Sequence, residues 1–137
     1  NGSVTIRANG ISIDPAAAIA SAYDVFLDTG TGAFANNNGT ATPITSINGG
    51  RWLIYAPSPA NVTKNGMTSN FRHYSATYDT YNPGMNISFE SGNGFIYASL
   101  PGTLYVNTTI ASGEANHVYG NTPTAAYGYF LTGFADS

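Results

Sequence analysis

Apolar and polar residues alternate in short bursts along the first fifty positions, and glycine or asparagine stops each burst. VTIRA (Val4 to Ala8) and ISID (Ile11 to Asp14) alternate on either side of Asn9-Gly10, a strong turn signal, which predicts strand, corner, strand. YDVFLD (Tyr23 to Asp28) places Val25 and Leu27 on one face and Asp24, Phe26 and Asp28 on the other, because successive side chains of a strand point to opposite sides. The alanine-rich stretch between these strands, Pro15 to Ala22, reads as a connection. Thr29 to Gly32 turns the chain, Ala33 to Ala35 leaves room for one short strand, and Asn36, Asn37, Asn38 and Gly39 end it.

Val4 and Val25 stand 21 residues apart (25 − 4), close to one coil of a β-solenoid with corners of Gly and Asn. The predicted fold is therefore all-β: a short right-handed parallel β-helix. A β-sandwich built from antiparallel hairpins uses the same turn chemistry and is the alternative. A second repeat is longer. GRWLIYAPSP (Gly50 to Pro59) and GNGFIYASLP (Gly92 to Pro101) share Gly, Ile-Tyr-Ala and Pro, with Ile54 and Ile96 separated by 42 residues (96 − 54). Trp52, Ile54 and Ala56 alternate with Leu53 and Tyr55, so this strand is apolar on both faces and buried between layers. Arg51 stands at its entrance, and Pro57 and Pro59 at its exit cannot donate to a ladder. We expect this strand to seal the preceding coils, with Trp52, Ile54 and Ile96 as structural core.

Between the two units FRHYSATYD (Phe71 to Asp79) alternates, which predicts Arg72, Tyr74, Ala76 and Tyr78 on one face and Phe71, His73, Ser75 and Thr77 on the other. Asn82-Pro83-Gly84 ends the run. TLYVNTTI from Thr103 and AYGYFLTGF after Pro123 read as further strands. Residues 1–102 are thus expected to form solenoid coils with a closing segment, and residues 103–137 part of a second β module.

Only 8% of the 137 residues are charged, against roughly 25% in ordinary soluble domains, so solubility rests on neutral polar groups. Exposed helical faces need Glu, Lys and Arg, and their scarcity reinforces the all-β expectation. A net charge of -3 with four basic residues argues against nucleic acid, whose phosphates need a basic stripe, and against anionic membrane surfaces. No cysteine is present to form a disulfide or thiolate site. The longest apolar stretch falls far short of the ~20 residues of a membrane span, so no membrane insertion is expected. The chain starts at Asn1 without methionine or a signal-like segment, which suggests a processed or excised piece of something longer.

The paired G-R-W-L-I-Y-A-x-x-P and G-N-G-F-I-Y-A-x-x-P units, with the Asn65-Gly66-Met67 turn after the first, resemble the segment that closes β-helical regions in filamentous-haemagglutinin-like exoproteins of the bacterial two-partner secretion type. The tail ASGEANHVYGNTPTAAYGYFLTGFADS resembles the opening of the repeat called MBG, through its V-Y-G, its T-P and its L-T-G-F. The motifs cover roughly residues 50 to 134. Asn65-Gly66-Met67 stands where Gly-Gly-Leu is more usual, and Asn116-His117 where a basic residue often precedes V-Y-G. The resemblance implies an extracellular, cell-surface stalk or fibre active in adhesion or biofilm matrix. It supplies no catalytic residues.

Seven carboxylates, two histidines and four basic residues make up the charged inventory apart from the termini. Asp14, Asp24 and Asp28 lie on strands or corners and read as solvated; a carboxylate pair for glycoside hydrolysis is the rival reading. No D-x-D-x-D-G run or G-x-S-x-G elbow occurs, so no metal, cofactor or catalytic residue is expected and the chain does not read as an enzyme. Five Asn-x-Ser/Thr triplets, at Asn1, Asn38, Asn61, Asn86 and Asn107, are candidate glycan acceptors, and composition alone accounts for several of them. His73, Tyr74, Tyr78 and Tyr81 are the candidate ligand-binding residues, since exposed tyrosine rings offer sugars an apolar face beside a hydroxyl. Core packing beside Trp52 is the competing role for Tyr74 and Tyr78. The expected function is a non-catalytic structural and adhesive segment of a secreted bacterial surface protein. Its expected partners are neighbouring repeats or a second copy of the chain, with host or matrix glycans as further candidates. Carbohydrate binding through exposed tyrosines, or a fibre subunit assembling by strand exchange, are the alternatives.

Overall fold

The computed structural model describes residues 2–83, 90–103, 105–110 and 127–132. Asn86, Glu114, His117 and the Val118-Tyr119-Gly120 triplet lie outside these stretches. The chain divides into two compact units, 1–100 and 101–137.

The first unit is a parallel β-solenoid whose coils pass through three short strands in turn. Its first coil contains β1 (Val4–Arg7), β2 (Ile11–Ile13) and β3 (Ile19–Ser21), and the second β4 (Val25–Asp28), β5 (Phe34–Asn36) and β6 (Ile44–Ser46). The third contains β7 (Trp52–Ala56) and β8 (Val62–Thr63), followed by β9 (Phe71–Tyr74) and β10 (Gly94–Tyr97). The second unit contributes an antiparallel pair, β11 (Tyr105–Ile110) and β12 (Tyr127–Thr132), with Tyr105 opposite Thr132. Among the described residues there is no α-helix, only one 3-10 turn at Pro59–Asn61.

Strands this short cannot satisfy their own backbone, so each depends on the coil beside it. The Val4–Val25 spacing is the register found: Val4 lies opposite Val25, and Val25 in turn opposite Trp52. Val25, Leu27, Trp52, Ile54, Phe95 and Tyr97 fill the interior, together with Ile13, Phe34 and Ile44 from the other two sides. The alanine-rich connection hides β3, whose Ile19 pairs with Ile44 of β6. Ile19–Ser21 follows an alanine run with no turn residue to set it apart, and β3 exists because β6 pairs with it.

Buried polar side chains tie the corners. The Thr29 hydroxyl, fully buried, lies 3.0 Å from the Tyr55 carbonyl of the next coil. Asn36 Nδ2 donates to the carbonyls of Thr40 (2.8 Å) and Lys64 (2.9 Å), while Asn65 Nδ2 donates to the Asn36 carbonyl. Asp24 Oδ1 accepts the Arg51 backbone N–H at 2.9 Å. At the corner after β4, a Cβ on Gly32 would stand 2.4 Å from the Gly10 nitrogen, so only glycine lets these coils close.

The principal sheet runs β1-β4-β7-β10-β9, so the chain lays β9 at the edge and then inserts β10 between β9 and β7. WLIYA is buried at all five positions, as a strand covered on both faces should be. It does not seal the solenoid: β7 is the central strand, and β8 continues the coil by pairing with β5. The two Ile-Tyr-Ala units are neighbours in the sheet but stack one residue out of step with their letters. Leu53 pairs with Gly94, Ile54 with Phe95 and Tyr55 with Ile96. A one-residue shift exchanges faces. Ile54 therefore joins the interior, whereas Ile96 packs with Phe26, Leu53 and Tyr55 on the outer face. Gly94 makes room for the Phe71 ring, which a Cβ would meet at 2.2 Å.

Truncating Ile54 or Phe95 to alanine should destabilise the unit by about 2–5 kcal/mol each in urea unfolding. Double-mutant cycles should couple Ile54 with Phe95 and Ile96 with Tyr55 by at least ~0.5 kcal/mol, and leave Ile54 and Ile96 near additive. Strong coupling between the two isoleucines instead would contradict the observed register.

Candidate functional site

The alternation of FRHYSATYD breaks at Ser75, which adopts φ 61, a left-handed conformation uncommon for a residue with a side chain. The backbone reverses there, and the Ser75 and Ala76 N–H groups donate to the carbonyls of Ser99 and Tyr97. Tyr74 consequently packs on the interior cluster, 5.3 Å from the Tyr97 ring. Tyr78 and Tyr81 pack instead with Phe71 and Ala76 against the outer face of the sheet. The expected shared face of Arg72, Tyr74, Ala76 and Tyr78 does not form, because one positive φ shifts the side-chain period.

Thr77 to Tyr81 makes a tight turn, with the Tyr81 N–H bonded to the Thr77 carbonyl at 2.9 Å. The turn sets Tyr78 edge-on to Tyr55, with ring centroids 5.2 Å apart, and delivers the Tyr81 carbonyl to the Tyr55 hydroxyl at 2.9 Å. Tyr81 stacks on His73 at 4.1 Å and 16°. Glu90, at the far end of the same crossover, joins the group: its Oε2 accepts the Tyr81 hydroxyl at 2.8 Å, and its Oε1 lies 3.1 Å from His73 Nδ1. Arg51 Nη1 donates to the Glu90 carbonyl at 2.7 Å. Arg51, His73, Tyr81 and Glu90 thus form one connected polar cluster on the outer face. The sequence offered no signal for Glu90 in it, because only the return of the chain into β10 brings that residue beside β9.

A second group lies along the same face. Arg7 bonds Asp28 through Nε at 2.9 Å and reaches Asp79 through Nη2 at 2.9 Å, with its guanidinium 4.7 Å from the Tyr78 ring centroid. Asp28 first, then Asp79, holds the Arg7 pKa above its ordinary value by accepting these hydrogen bonds. A recess of about 380 Å³ includes Arg7, Asp28, Thr31, Tyr78 and Asp79 in its wall. Its polar groups are engaged with one another: Asp28 Oδ1 also accepts the Gly30 N–H, and Thr31 donates to Asn9.

Of the four candidate ligand residues, His73, Tyr78 and Tyr81 thus share the outer layer, and Tyr74 belongs to the other side of the sheet. All four are half-buried. They do not make one exposed aromatic platform. Trp52, Ile54 and Ile96 are all buried. Asp14 remains exposed, with Oδ1 accepting the Ser12 hydroxyl, and Asp24 serves the corner described above. No protein family, curated protein or solved structure matches the chain. A histidine held by a carboxylate can serve a general base, but here the same carboxylate also fixes Tyr81, and its backbone oxygen anchors Arg51. The cluster acts as a latch that holds Tyr81 and Glu90 against His73 of β9 and Arg51 at the start of β7. No group of three or more metal-ligating side chains occurs among the described residues.

Burial, then the hydrogen bond to Glu90, pushes the Tyr81 phenol up to about 12 from 10.0, and burial raises Tyr55 as well. The native state holds the Tyr81 proton more tightly than the unfolded chain does. The resulting stabilisation is complete below pH 10 and is lost as pH rises toward about 12. Denaturation measured across this interval should show stability falling with pH in the wild type, with a shallower fall in Tyr81→Phe. Equal slopes would mean that Tyr81 is not held in this way. Glu90→Ala should cost about 1–3 kcal/mol by leaving the Tyr81 hydroxyl without its acceptor, measured by urea unfolding at neutral pH.

Proposed function

We propose that the chain is a non-catalytic structural and adhesive segment of a secreted bacterial surface protein of the filamentous-haemagglutinin-like, two-partner secretion type, working outside the cell. The observation that carries this reading is where the polar side chains are spent. Thr29, Asn36, Asn65 and Asp24 bind the backbone of adjoining coils, and Glu90 and Arg51 pin the crossover. These side chains bind other parts of the same scaffold, as suits a stalk or a presenting surface. The paired Ile-Tyr-Ala units add the sequence resemblance, and the parallel coils suit a protein built by repetition.

Assembly with neighbouring repeats or a second copy is the partner relationship favoured by the ends of the principal sheet, where, among the described residues, β1 and β9 each have one paired side. Recognition of a matrix glycan has less support, since the tyrosines divide between two faces.

Displayed on a non-adherent bacterial cell through an unrelated anchor, the chain should raise retention under flow on matrix-coated or cell-coated surfaces, or make the displaying cells clump. Retention and clumping equal to the anchor alone, together with turnover in a screen of glycoside and ester substrates, would replace this reading with an enzymatic one.

A further inference from the structure

Five Asn-Gly steps lie within the described residues, beginning at Asn9, Asn38, Asn48, Asn65 and Asn93. Asn-Gly is the step at which a backbone nitrogen most readily attacks the preceding side-chain amide, because glycine places no Cβ in its path. Reaction requires the asparagine side chain to swing freely over the next peptide, and any hydrogen bond that holds it elsewhere must first break.

Four of the five are held. Asn9 Oδ1 accepts the Thr31 hydroxyl at 3.0 Å, and the Gly10 nitrogen that would attack donates to the Thr29 carbonyl at 3.0 Å. Asn38 donates through Nδ2 to the Ala17 carbonyl and accepts the Thr40 hydroxyl. Asn65 Nδ2 donates to the Asn36 carbonyl across the coils at 2.5 Å. Asn93 Oδ1 accepts the Trp52 N–H at 3.0 Å, and Gly94 is buried in β10. Asn48 differs. It is exposed, and its side chain makes no hydrogen bond to any described residue. It occupies the corner between β6 and β7, a turn with φ 54 at Asn48 and φ 73 at Gly49, closed by the Gly50 N–H on the Ile47 carbonyl at 3.2 Å. A Cβ built on Gly49 would meet nothing within 4 Å, so the turn has open space around it.

We infer that Asn48-Gly49 is a site of spontaneous backbone modification in the folded protein. The Gly49 nitrogen gives up its proton and attacks Asn48 Cγ; the Cγ–Nδ2 bond breaks, and ammonia leaves with the proton. Water then opens the five-membered imide at either carbonyl, leaving aspartate or isoaspartate at position 48. No oxidant or enzyme is needed. Each event adds a carboxylate to a chain of net charge -3. In the isoaspartyl product it also lengthens the backbone of the corner that delivers Arg51 to Asp24, where Gly50 already packs against the Tyr23 backbone. The fold thus protects four of its Asn-Gly corners and leaves one to age.

The test incubates the folded chain at mildly alkaline pH and physiological temperature. Conversion at each Asn-Gly step is followed by peptide mass spectrometry, with fragmentation that separates aspartate from isoaspartate. A parallel sample is kept unfolded in urea. In the folded chain position 48 should convert about tenfold or more faster than positions 9, 38, 65 and 93, the factor expected where one or more hydrogen bonds must open first. In urea the five rates should converge. Asn48→Gln should remove the early acidic isoform while circular dichroism reports an unchanged β signature. Conversion led by another position, or five equal rates in the folded chain, would overturn the inference; the wild-type comparison decides it even if the variant fails to fold.

Discussion

Each strand of the solenoid takes its ladder hydrogen bonds from one or two other strands stacked beside it, and this constraint governs the rest of the structure. Strands of two to five residues have no stability alone, so the coil must place equivalent residues opposite one another whatever the length of the intervening loop. Partners in the principal sheet lie 21 residues apart from β1 to β4, 27 from β4 to β7 and 41 from β7 to β10. The excess is taken up in corners, and corners are where buried Thr29 and Asn36 satisfy backbone groups that would otherwise be stranded. Packing and polar satisfaction are solved at the same places.

The insertion of β10 is the second decision, and it depends on the first. A regular coil would set β9 directly on β7. Here β9 stands one strand further out, and β10, buried at all four positions, fills the space between them. On the outer face Ala76, Tyr78 and Tyr81 pack on Phe26, Leu53, Tyr55 and Ile96, which would otherwise be a bare apolar surface. Tyr78, Tyr81 and Glu90 are therefore parts of a lid over the sheet, and Arg51, His73 and Arg7 are the points on the sheet to which it is fastened. The residues that look most like a binding site in the sequence are drawn into holding the fold.

Much of the architecture was legible in the sequence. Alternation in VTIRA, ISID and YDVFLD, with turn residues between, specified strands and corners, and the Val4–Val25 spacing specified parallel stacking, because side-chain alternation and coil length are local properties of the chain. Burial of Trp52 on a strand covered on both faces followed from the unbroken apolar run WLIYA. Strand β3 was hidden because Ile19–Ser21 is extended only through its pairing with β6. The register of the two Ile-Tyr-Ala units, offset by one residue from their matching letters, was not legible, because matching letters measures similarity while the ladder measures which backbone groups meet.

By itself the sequence determined the all-β character, the strand positions around Gly and Asn corners, and the scarcity of charge that leaves neutral polar groups to do the linking. The tertiary structure alone decided that β10 lies between β7 and β9, that Ile54 and Ile96 face opposite sides of one sheet, and that Glu90 meets His73 and Tyr81. Alternation is set by the geometry of consecutive peptides and can be read along the chain. Strand order, face and long-range polar pairing are set by which distant segments satisfy each other's hydrogen bonds and cover each other's apolar surface, and no local pattern records that choice.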